Sequence, residues 1–263
     1  MKKDVKYSAT KKKKRKVRKG FVFALLVLLL VVFVILLTTV LLPINKITVN
    51  YSGTKYKKQD IKSAANIDIG DNILMLSKSD VNKKVTEKLP YIGSVEVKKQ
   101  LPDKVVIIPK ETKAVYCVKY KKKYALLDSK YKVLEIVKKP EKKLTEISGL
   151  KVNSCKAGQI AEFKNEDNFD IVKKILRLTE KSKYSTNKID ISSKFDIMLV
   201  LDNRYEVALG DTEDLAEKID FMEKTLNKID KKHKNATGTL NLTYYSEKEE
   251  GYFKRGKAEE TYK

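Results

Sequence analysis

Few residues with reactive side chains are spaced in a way that would support catalysis or metal binding. His233 is the only histidine, and it lies among lysines in the stretch DKKHKN without a second ligand or base nearby in the sequence. A zinc site or a hydrolytic triad needs several such groups together. Glu249 and Glu250 are paired acids, but they lie in a polar C-terminal stretch where the geometry of general acid–base catalysis could not be held. We therefore expect no enzyme, with no catalytic residues and no metal ligands.

The remaining candidate sites have simpler explanations. Gly70–Asn72 has neither the spacing of a phosphate-binding loop nor a lysine placed to reach a phosphate, so it is interpreted as a turn. Leu101–Asp103 is interpreted as a hairpin turn, because proline presets φ and aspartate can accept hydrogen bonds from nearby backbone. Cys117 and Cys155 show neither a CxxC motif nor a zinc spacing. The sequence leaves their pairing open and predicts no cofactor.

The basic composition does not indicate a nucleic-acid partner. The chain has 57 basic and 34 acidic residues, a formal net charge of +23. Only five of the basic residues are arginine, whose planar fork is preferred for base readout and phosphate binding. The lysines are scattered and mixed with acids, which is typical of a solvated surface. Such a surface would face an anionic membrane or cell wall, so no nucleic acid is expected as a partner.

A long apolar segment directly follows the basic run KKKKRKV (residues 11–17). Residues 21–42 contain no charge, proline or glycine. As a helix they would be about 33 Å long at about 1.5 Å per residue, enough for a hydrocarbon core of about 30 Å. A cleaved signal peptide, the alternative, has a shorter apolar region and a small-x-small site, which LLPINK does not offer. The sequence predicts an uncleaved transmembrane helix at residues 21–42.

The charge on either side of this helix predicts its orientation. Residues 1–19 carry eleven Lys or Arg and one acid, and such positive flanks stay cytoplasmic. We expect a cytoplasmic tail at residues 1–20 and a single-pass type II protein with everything after the helix outside the cell membrane. A nuclear signal is the weaker interpretation of the basic run. The residues predicted to set topology and contact anionic lipid are Lys11, Lys12, Lys13, Lys14, Arg15, Lys16, Arg18 and Lys19.

Residues 43–110 follow the order strand, helix, helix, strand, strand. Alternating apolar residues predict a strand at residues 44–50, and apolar residues at helical spacing predict helices at residues 59–66 and after Ser79. Two further alternating stretches, SVEVKKQL and DKVVIIPKE, are joined by the Leu-Pro-Asp turn. We expect these elements to share one small core, formed by Ile47, Val49, Leu74, Leu89, Val95, Val97 and Val106.

Residues 111–245 alternate short strands with two amphipathic helices. The helices are predicted at residues 168–182 and 211–229, the second with Asp211 as its N-cap. The predicted strands are AVYCVKY, KKYALLD, YKVLEIV, KIDIS, FDIMLVLD, YEVALG and GTLNLTYY. Residues 246–263 have no apolar periodicity, and the composition predicts disorder there.

The order of these elements and several short motifs resemble the bacterial cell-division protein family FtsQ/DivIB. The resemblance covers residues 11–245. Tyr91 stands where the family usually has tryptophan, and Lys110–Lys113 replaces the usual acidic–basic pair, which leaves the local contacts there open. The motifs are ITVNYSG, QDI, GDNILML, LPYIGSVEVKKQLPDKVVIIPKETKAV, LLD with the following KVL, and the LG before the last long helix.

The resemblance implies an α+β protein with a single transmembrane helix, a β-α-α-β-β POTRA domain at residues 43–110 and a mixed α/β "β-domain" at residues 111–245. It implies a non-enzymatic scaffold at the division septum. Such a scaffold binds single-pass division proteins of the FtsB/DivIC and FtsL kind and helps regulate septal peptidoglycan synthesis. Two other classes stay open: a POTRA-bearing component of extracytoplasmic polypeptide transport, and a membrane-anchored cell-wall enzyme.

The last predicted strand, residues 238–245, is the candidate partner-binding site. Only a polar tail follows it, so nothing later in the chain is expected to cover its outer edge. It has no proline or inward charge to block pairing, and an exposed edge must be protected or used. We hypothesise that a partner adds a strand here, whereas a central or self-covered strand is the alternative. The residues concerned are Thr239, Leu240, Leu242, Thr243, Tyr244 and Tyr245.

Overall fold

The chain forms two compact units in a computed structural model that describes residues 13–141 and 143–256. Side chains are described from residue 20 onward, except those of residues 36–41. The first unit comprises Met1–Asn82 and Val95–Pro109, and the second comprises Lys83–Ser94 and Lys110–Lys263. Lys11 and Lys12 lie outside the described residues, and the other basic residues predicted to contact lipid lie where side chains are not described.

Helix α1 spans Lys13–Leu41, so it begins within the basic run rather than after it. Its described side chains, from Gly20 to Ile35, are apolar and exposed on every face. Within the described residues, no helix combines the length and the apolarity needed to cross a bilayer. The predicted span at residues 21–42 falls partly outside the described side chains.

The next five elements follow the predicted β-α-α-β-β order. They are β1 (Lys46–Val49), α2 (Lys58–Ala65), α3 (Lys78–Lys88), β2 (Ile92–Gln100) and β3 (Lys104–Glu111). The three strands form a sheet in the order β1-β3-β2, with β1 parallel to β3. The predicted Leu-Pro-Asp turn joins β2 to β3.

The core of the first unit differs from the predicted one at several positions. Val106 was expected inside, but Val105 and Ile107 are fully buried and Val106 is half-buried. Strand β3 contains four consecutive apolar residues, so its sequence does not show which face is buried. The buried face is set by the pairing of Val105 with Ile47 and of Ile107 with Val49. Of the other expected core residues, Val49, Val95 and Val97 are buried, Ile47 is half-buried and Leu74 is exposed, whereas the half-buried Leu89 belongs to the second unit.

A mixed nine-stranded sheet dominates the described part of the second unit. Its strand order is β14-β13-β12-β11-β10-β7-β4-β5-β6, and a separate hairpin pairs β8 with β9. The β4/β7, β7/β10 and β12/β13 pairs are parallel. The strands are β4 (Tyr116–Tyr120), β5 (Lys123–Leu127), β6 (Val133–Val137), β7 (Thr145–Ser148), β8 (Val152–Ser154), β9 (Glu162–Phe163), β10 (Thr186–Ser193), β11 (Asp196–Leu201), β12 (Tyr205–Gly210), β13 (Gly238–Asn241) and β14 (Tyr252–Arg255).

Two long helices share the hydrophobic core of this sheet. These are α4 (Glu166–Thr179) and α5 (Leu215–Lys232), both close to their predicted positions. Asp211 is not the N-cap of α5 as predicted, because the helix begins later and Asp214 precedes it. The Asp211 carboxylate instead lies 2.8 Å from Nζ of the fully buried Lys218. The apolar stripe of α5 is buried as expected at Leu215, Ile219, Met222 and Leu226.

The predicted disorder at residues 246–263 is wrong for its first half. Residues Tyr245–Lys248 form the short helix α6, and β14 follows it. Phe253 of β14 packs against the hydrophobic core, with its ring 6.1 Å from that of the buried Tyr205. A single inward side chain in a short edge strand leaves no periodicity for a sequence pattern to detect. Residues 257–263 lie outside the described part of the chain.

Candidate functional site

Strand β13, predicted as the open edge of the sheet, is covered on both sides. It pairs in parallel with β12 and antiparallel with β14. Leu240 and Leu242 are fully buried, so neither can select a partner side chain. The strand also ends at Asn241, four residues before its predicted end. The hypothesis of a partner strand added to β13 is therefore wrong, because the polar segment after it folds back and pairs with it.

The other residues of that prediction have different surroundings. Thr239 is half-buried in the middle of β13, opposite Lys254. Thr243 and Tyr244 lie in the turn after the strand, and Tyr244 is 59% exposed. Tyr245 begins α6 and packs its ring 5.1 Å from that of Phe221. Only Tyr244 of the set is exposed enough to meet another molecule.

Strand β14 takes the place of β13 as the last strand of the sheet. No strand among residues 13–141 and 143–256 pairs with its outer side. Tyr252, Lys254 and Arg255 are exposed, whereas Phe253 faces the core. An edge strand presents a row of backbone donors and acceptors that another chain can use.

The ladder hydrogen bonds show which backbone groups of β14 point outward. The N–H of Gly238, in β13, points toward β12 and donates to Arg204 O. The N–H of Gly256, just after β14, points toward β13 and donates to Thr237 O. Because donors alternate along an antiparallel pair, Tyr252 and Lys254 direct their N–H groups toward β13. Phe253 and Arg255 direct theirs toward the open edge.

Close backbone contacts hold β14 in place. A Cβ atom at Gly238 would overlap the carbonyl oxygen of Lys254, so β13 approaches β14 closely there because it carries glycine. A Cβ atom at Gly251 would lie 2.8 Å from the ring of Phe221. Beyond the strand, Thr237 Oγ1 donates to Gly256 O at 2.6 Å. The edge is therefore anchored by packing although its sequence is polar.

A half-buried carboxylate supports the same end of the sheet. Asp230, in the last turns of α5, accepts hydrogen bonds from the hydroxyls of Tyr205 at 2.6 Å and Tyr184 at 2.8 Å, and from the Arg204 guanidinium at 3.2 Å. Burial by itself would raise the pKa of Asp230, but these hydrogen bonds and the guanidinium charge lower it below its usual value. Burial and the bond to Asp230 raise the pKa of Tyr205 to about 12.

The residues first considered for chemistry are not brought together. His233 caps the exposed C-terminus of α5. Glu249 and Glu250 are exposed in the turn before β14. Within the described residues, no group of three or more His, Cys, Asp or Glu side chains could hold a metal ion. Cys117 and Cys155 are buried and unpaired. Burial raises the pKa of the Cys117 thiol to about 12 and that of Cys155 to about 11, so neither is a reactive thiol.

One open cleft of about 470 Å³ lies in the second unit, at the starts of the parallel strands β4, β7 and β10. Tyr116 and Tyr131 line it with their rings stacked at 5.4 Å. Lys173, Arg177 and Glu180 provide its charges. A single carboxylate beside two cations, without a histidine or cysteine in the lining, is not a set for acid–base or nucleophilic catalysis.

Comparisons with known proteins match one domain of the chain and, at 29% and 26% identity, more than half of its length. A family profile described as POTRA domain, FtsQ-type, matches residues 42–111. A relative from Clostridium tetani (strain Massachusetts / E88), named cell division protein DivIB, is 29% identical over 168 residues. A relative of the same name from Clostridium botulinum (strain Loch Maree / Type A3) is 26% identical over 190 residues. Residues 42–111 therefore carry an FtsQ-type POTRA domain, and the chain is similar to proteins named DivIB.

The extent of these matches differs between the relatives. The alignment covers 62% of this chain and 62% of the Clostridium tetani protein, which is less than two thirds of that relative. It covers 71% of this chain and 73% of the Clostridium botulinum protein. The predicted β-α-α-β-β POTRA order is thus what the family profile and the structure share.

The two departures from the family pattern have defined contacts inside the second unit. The hydroxyl of Tyr91, which stands where tryptophan is usual, donates to the Glu135 carboxylate at 2.9 Å. Thr112 N–H donates to Tyr91 O at 2.9 Å. Nearby, the buried Lys132 donates through Nζ to Ile92 O at 2.6 Å. A smaller, hydrogen-bonding ring is therefore accommodated at residue 91 by a carboxylate partner.

Proposed function

We propose that this chain is a non-enzymatic scaffold of the division septum that binds other single-pass division proteins and helps regulate septal peptidoglycan synthesis. The relatives are named as cell division proteins, and the matching profile is of the FtsQ type, which supports a division role. Within the described residues no His, Cys, Asp or Glu cluster could hold a metal ion, and the lining of the open cleft has no histidine or cysteine, which favours the scaffold over a cell-wall enzyme. No second POTRA repeat is found in the described part of the chain, so polypeptide transport has no observation in its favour.

The chain is proposed to be anchored in the cell membrane by residues 21–42, with its N-terminus inside and its C-terminal domains outside. The apolar composition of the described part of α1, exposed on every face, supports this placement. A helix segment that is apolar on every face is stable only when it is buried in a protein core or in a membrane. The basic residues 11–19 would hold the N-terminus at the cytoplasmic headgroups. The proposed domain boundaries are residues 43–110 for the POTRA domain and 111–245 for the β-domain, the latter extended to include β14.

The open edge of β14 is the proposed docking site for a division partner of the FtsB/DivIC or FtsL kind. The observation that carries this is that β14 ends the sheet while two of its backbone N–H groups point outward. An extended partner segment could add to this edge through backbone hydrogen bonds. The exposed side chains of Tyr252, Lys254 and Arg255 would then determine which partner segments bind. Docking at β14 replaces the overturned site on β13 without changing the mode of binding.

Arg255→Pro tests this docking site. Proline removes the outward N–H of Arg255 without touching the ladder to β13, and it is tolerated on edge strands. Arg255→Ala is the matched control, because it removes the side chain and keeps the N–H. We expect the full-length wild type and Arg255→Ala to form a septal band as fluorescent fusions and to co-isolate the FtsB/DivIC-like and FtsL-like proteins from membranes. Arg255→Pro should lose that co-isolation while its melting temperature stays close to that of Arg255→Ala.

The outcomes separate the two parts of the proposal. Equal co-isolation of the same partners with Arg255→Pro would show that β14 is not the docking strand. An even distribution of the wild type around the cell, with no septal enrichment, would contradict the division role itself.

A further inference from the structure

Exposed apolar side chains of the first unit are concentrated at one end of it. Outside α1, every large apolar side chain that is exposed in the described residues of this unit belongs to two short segments. Ile69, Leu74 and Met75 lie in the loop between α2 and α3, and Leu101 lies in the turn between β2 and β3. Their exposures are 58%, 45%, 79% and 61%. Single exposed apolar residues need no explanation, but a contiguous group at one end usually marks a contact surface.

The topology of the three-stranded sheet places both segments beside the start of β1. Strands β1 and β3 run parallel, so the turn that precedes β3 lies at the N-terminal end of β1. Asn45 N–H donates to Asp103 O at 2.9 Å, and Ile73 N–H donates to Leu42 O at 3.0 Å. Lys99 Nζ donates to Leu74 O at 2.9 Å and so links the end of β2 to the same loop. The apolar group surrounds the residues by which the chain leaves α1.

The connection between α1 and β1 is too short to let this end move far from the helix. Helix α1 ends at Leu41 and β1 begins at Lys46, so four residues join them. Four extended residues reach about 14 Å at most. If α1 spans the bilayer, the exposed apolar group lies at the depth of the outer headgroups and the adjoining chains.

The backbone of the apolar loop is suited to a medium with little water. Gly70 N–H donates to Ile44 O at 2.9 Å, and Leu74 N–H donates to Asn72 Oδ1 at 2.8 Å. Met75 N–H donates to Asn72 O at 3.1 Å. Unsatisfied backbone donors are costly in lipid, and these donors have partners within the loop or in the segment just before β1.

The charges around the group are mixed rather than strongly positive. Asp68, Asp71 and Asp103 lie in the same segments as the apolar residues, and Lys46, Lys99 and Lys104 lie at the strand ends beside them. Asp103 accepts from the Asn45 side chain at 3.2 Å, and Asp71 accepts from Asp68 N–H at 3.3 Å. Attraction to anionic lipid would therefore be small, and burial of apolar area is the main driving term.

We propose that this end of the first unit is a membrane-contact surface, with Met75 and Leu101 inserted into the interface of the lipid bilayer in which α1 is anchored. The inference rests on the proposed membrane anchor. It adds that the first unit is held against the bilayer by its own side chains rather than only tethered to it by the helix. The partner that covers these apolar side chains is lipid, and a bilayer of neutral phosphatidylcholine is sufficient for the contact.

The absence of tryptophan from the sequence permits a direct test. Single tryptophans are introduced in the full-length chain as Met75→Trp and Leu101→Trp, and the variants are reconstituted in phosphatidylcholine vesicles brominated near the headgroup. Ser52→Trp, exposed beyond the opposite end of β1, is the control for the same unit. Phe33→Trp reports whether α1 is in the bilayer. We expect bromine to roughly halve the emission of Met75→Trp and Leu101→Trp and to leave that of Ser52→Trp unchanged.

The four variants distinguish failure of the inference from failure of the anchor. Quenching of Phe33→Trp without quenching of Met75→Trp and Leu101→Trp would overturn the membrane-contact surface and leave the anchor standing. If Phe33→Trp is not quenched either, the anchor and the inference fall together. Quenching of Met75→Trp only in vesicles with anionic phosphatidylglycerol, and its loss in high salt, would make the contact electrostatic and overturn the apolar insertion.

Discussion

At the scale of single residues, Asp230 joins the end of α5 to the sheet. Its carboxylate accepts from Tyr205 in β12, from Tyr184 just before β10 and from Arg204 in the turn between β11 and β12. None of these residues forms a recognisable motif with Asp230 in the sequence, because 25 residues separate Asp230 from Tyr205 and 46 separate it from Tyr184. Removing the carboxylate would leave the two hydroxyls without their acceptor in a mostly buried place.

The lowered pKa of Asp230 predicts a dependence of stability on pH. A carboxyl whose pKa is lower in the folded state stabilises the fold above its unfolded pKa of about 3.9, and this contribution is lost as the pH falls through the folded pKa. We expect Asp230→Asn to lower the free energy of unfolding at neutral pH by about 1–3 kcal/mol. We also expect it to weaken the loss of stability below about pH 4. Thermal melts of wild type and variant across that range measure both effects.

Asp170→Asn is the control for this prediction. Asp170 pairs with Lys173 on the exposed face of α4, where ion pairs contribute little. Equal melting temperatures for Asp230→Asn and Asp170→Asn at neutral pH would mean that Asp230 does not hold the sheet to α5.

At the scale of elements, pairing rather than local pattern decides which face of β3 is buried. Val105 and Val106 are adjacent, identical side chains, yet Val105 is fully buried and Val106 is half-buried. Strand β14 shows the same dependence on pairing, since a polar segment becomes a strand there by pairing with β13, which approaches it closely at Gly238. In both cases the neighbouring strand supplies information that the local sequence lacks.

Val105→Asp and Val106→Asp form a matched pair that tests the register. Burying an unpaired carboxylate costs several kcal/mol, and a unit of this size has little stability to lose. Val105→Asp should therefore unfold the first unit, whereas Val106→Asp should leave it folded. Limited proteolysis of the full-length chain reports the state of the unit, with new cleavage sites within residues 44–82 and 95–109 expected for Val105→Asp alone. The reverse result would mean that β3 pairs one residue out of the described register.

At the scale of the whole molecule, charge and apolarity predict which side of the membrane each part occupies. Because the basic N-terminal residues should remain in the cytoplasm, a membrane-impermeant thiol reagent should label Lys194→Cys in intact cells whose wall admits it. It should not label Ser8→Cys until the membrane is opened. The native Cys117 and Cys155 should stay silent, since both are buried and their pKa values are raised. Labelling of Ser8→Cys but not of Lys194→Cys in intact cells would reverse the proposed topology.

The sequence by itself determined the features that depend on local periodicity and composition. The β-α-α-β-β order, both long amphipathic helices and most strands of the sheet are where periodicity predicted them, because spacing of apolar residues reflects which side of an element meets a core. The family resemblance also followed from short motifs at fixed spacing. The apolar segment at residues 21–42 and its basic flank remain predictions of the same kind.

Only the tertiary structure decided the features that depend on which segments meet. It moved the open edge of the sheet from β13 to β14, buried Val105 in place of Val106, and gathered Ile69, Leu74, Met75 and Leu101 beside the start of β1. Each outcome follows from backbone pairing between segments distant in sequence. Periodicity reports whether a residue faces a core or solvent, whereas strand neighbours and the ends of a sheet are fixed by long-range hydrogen bonds that no local pattern encodes.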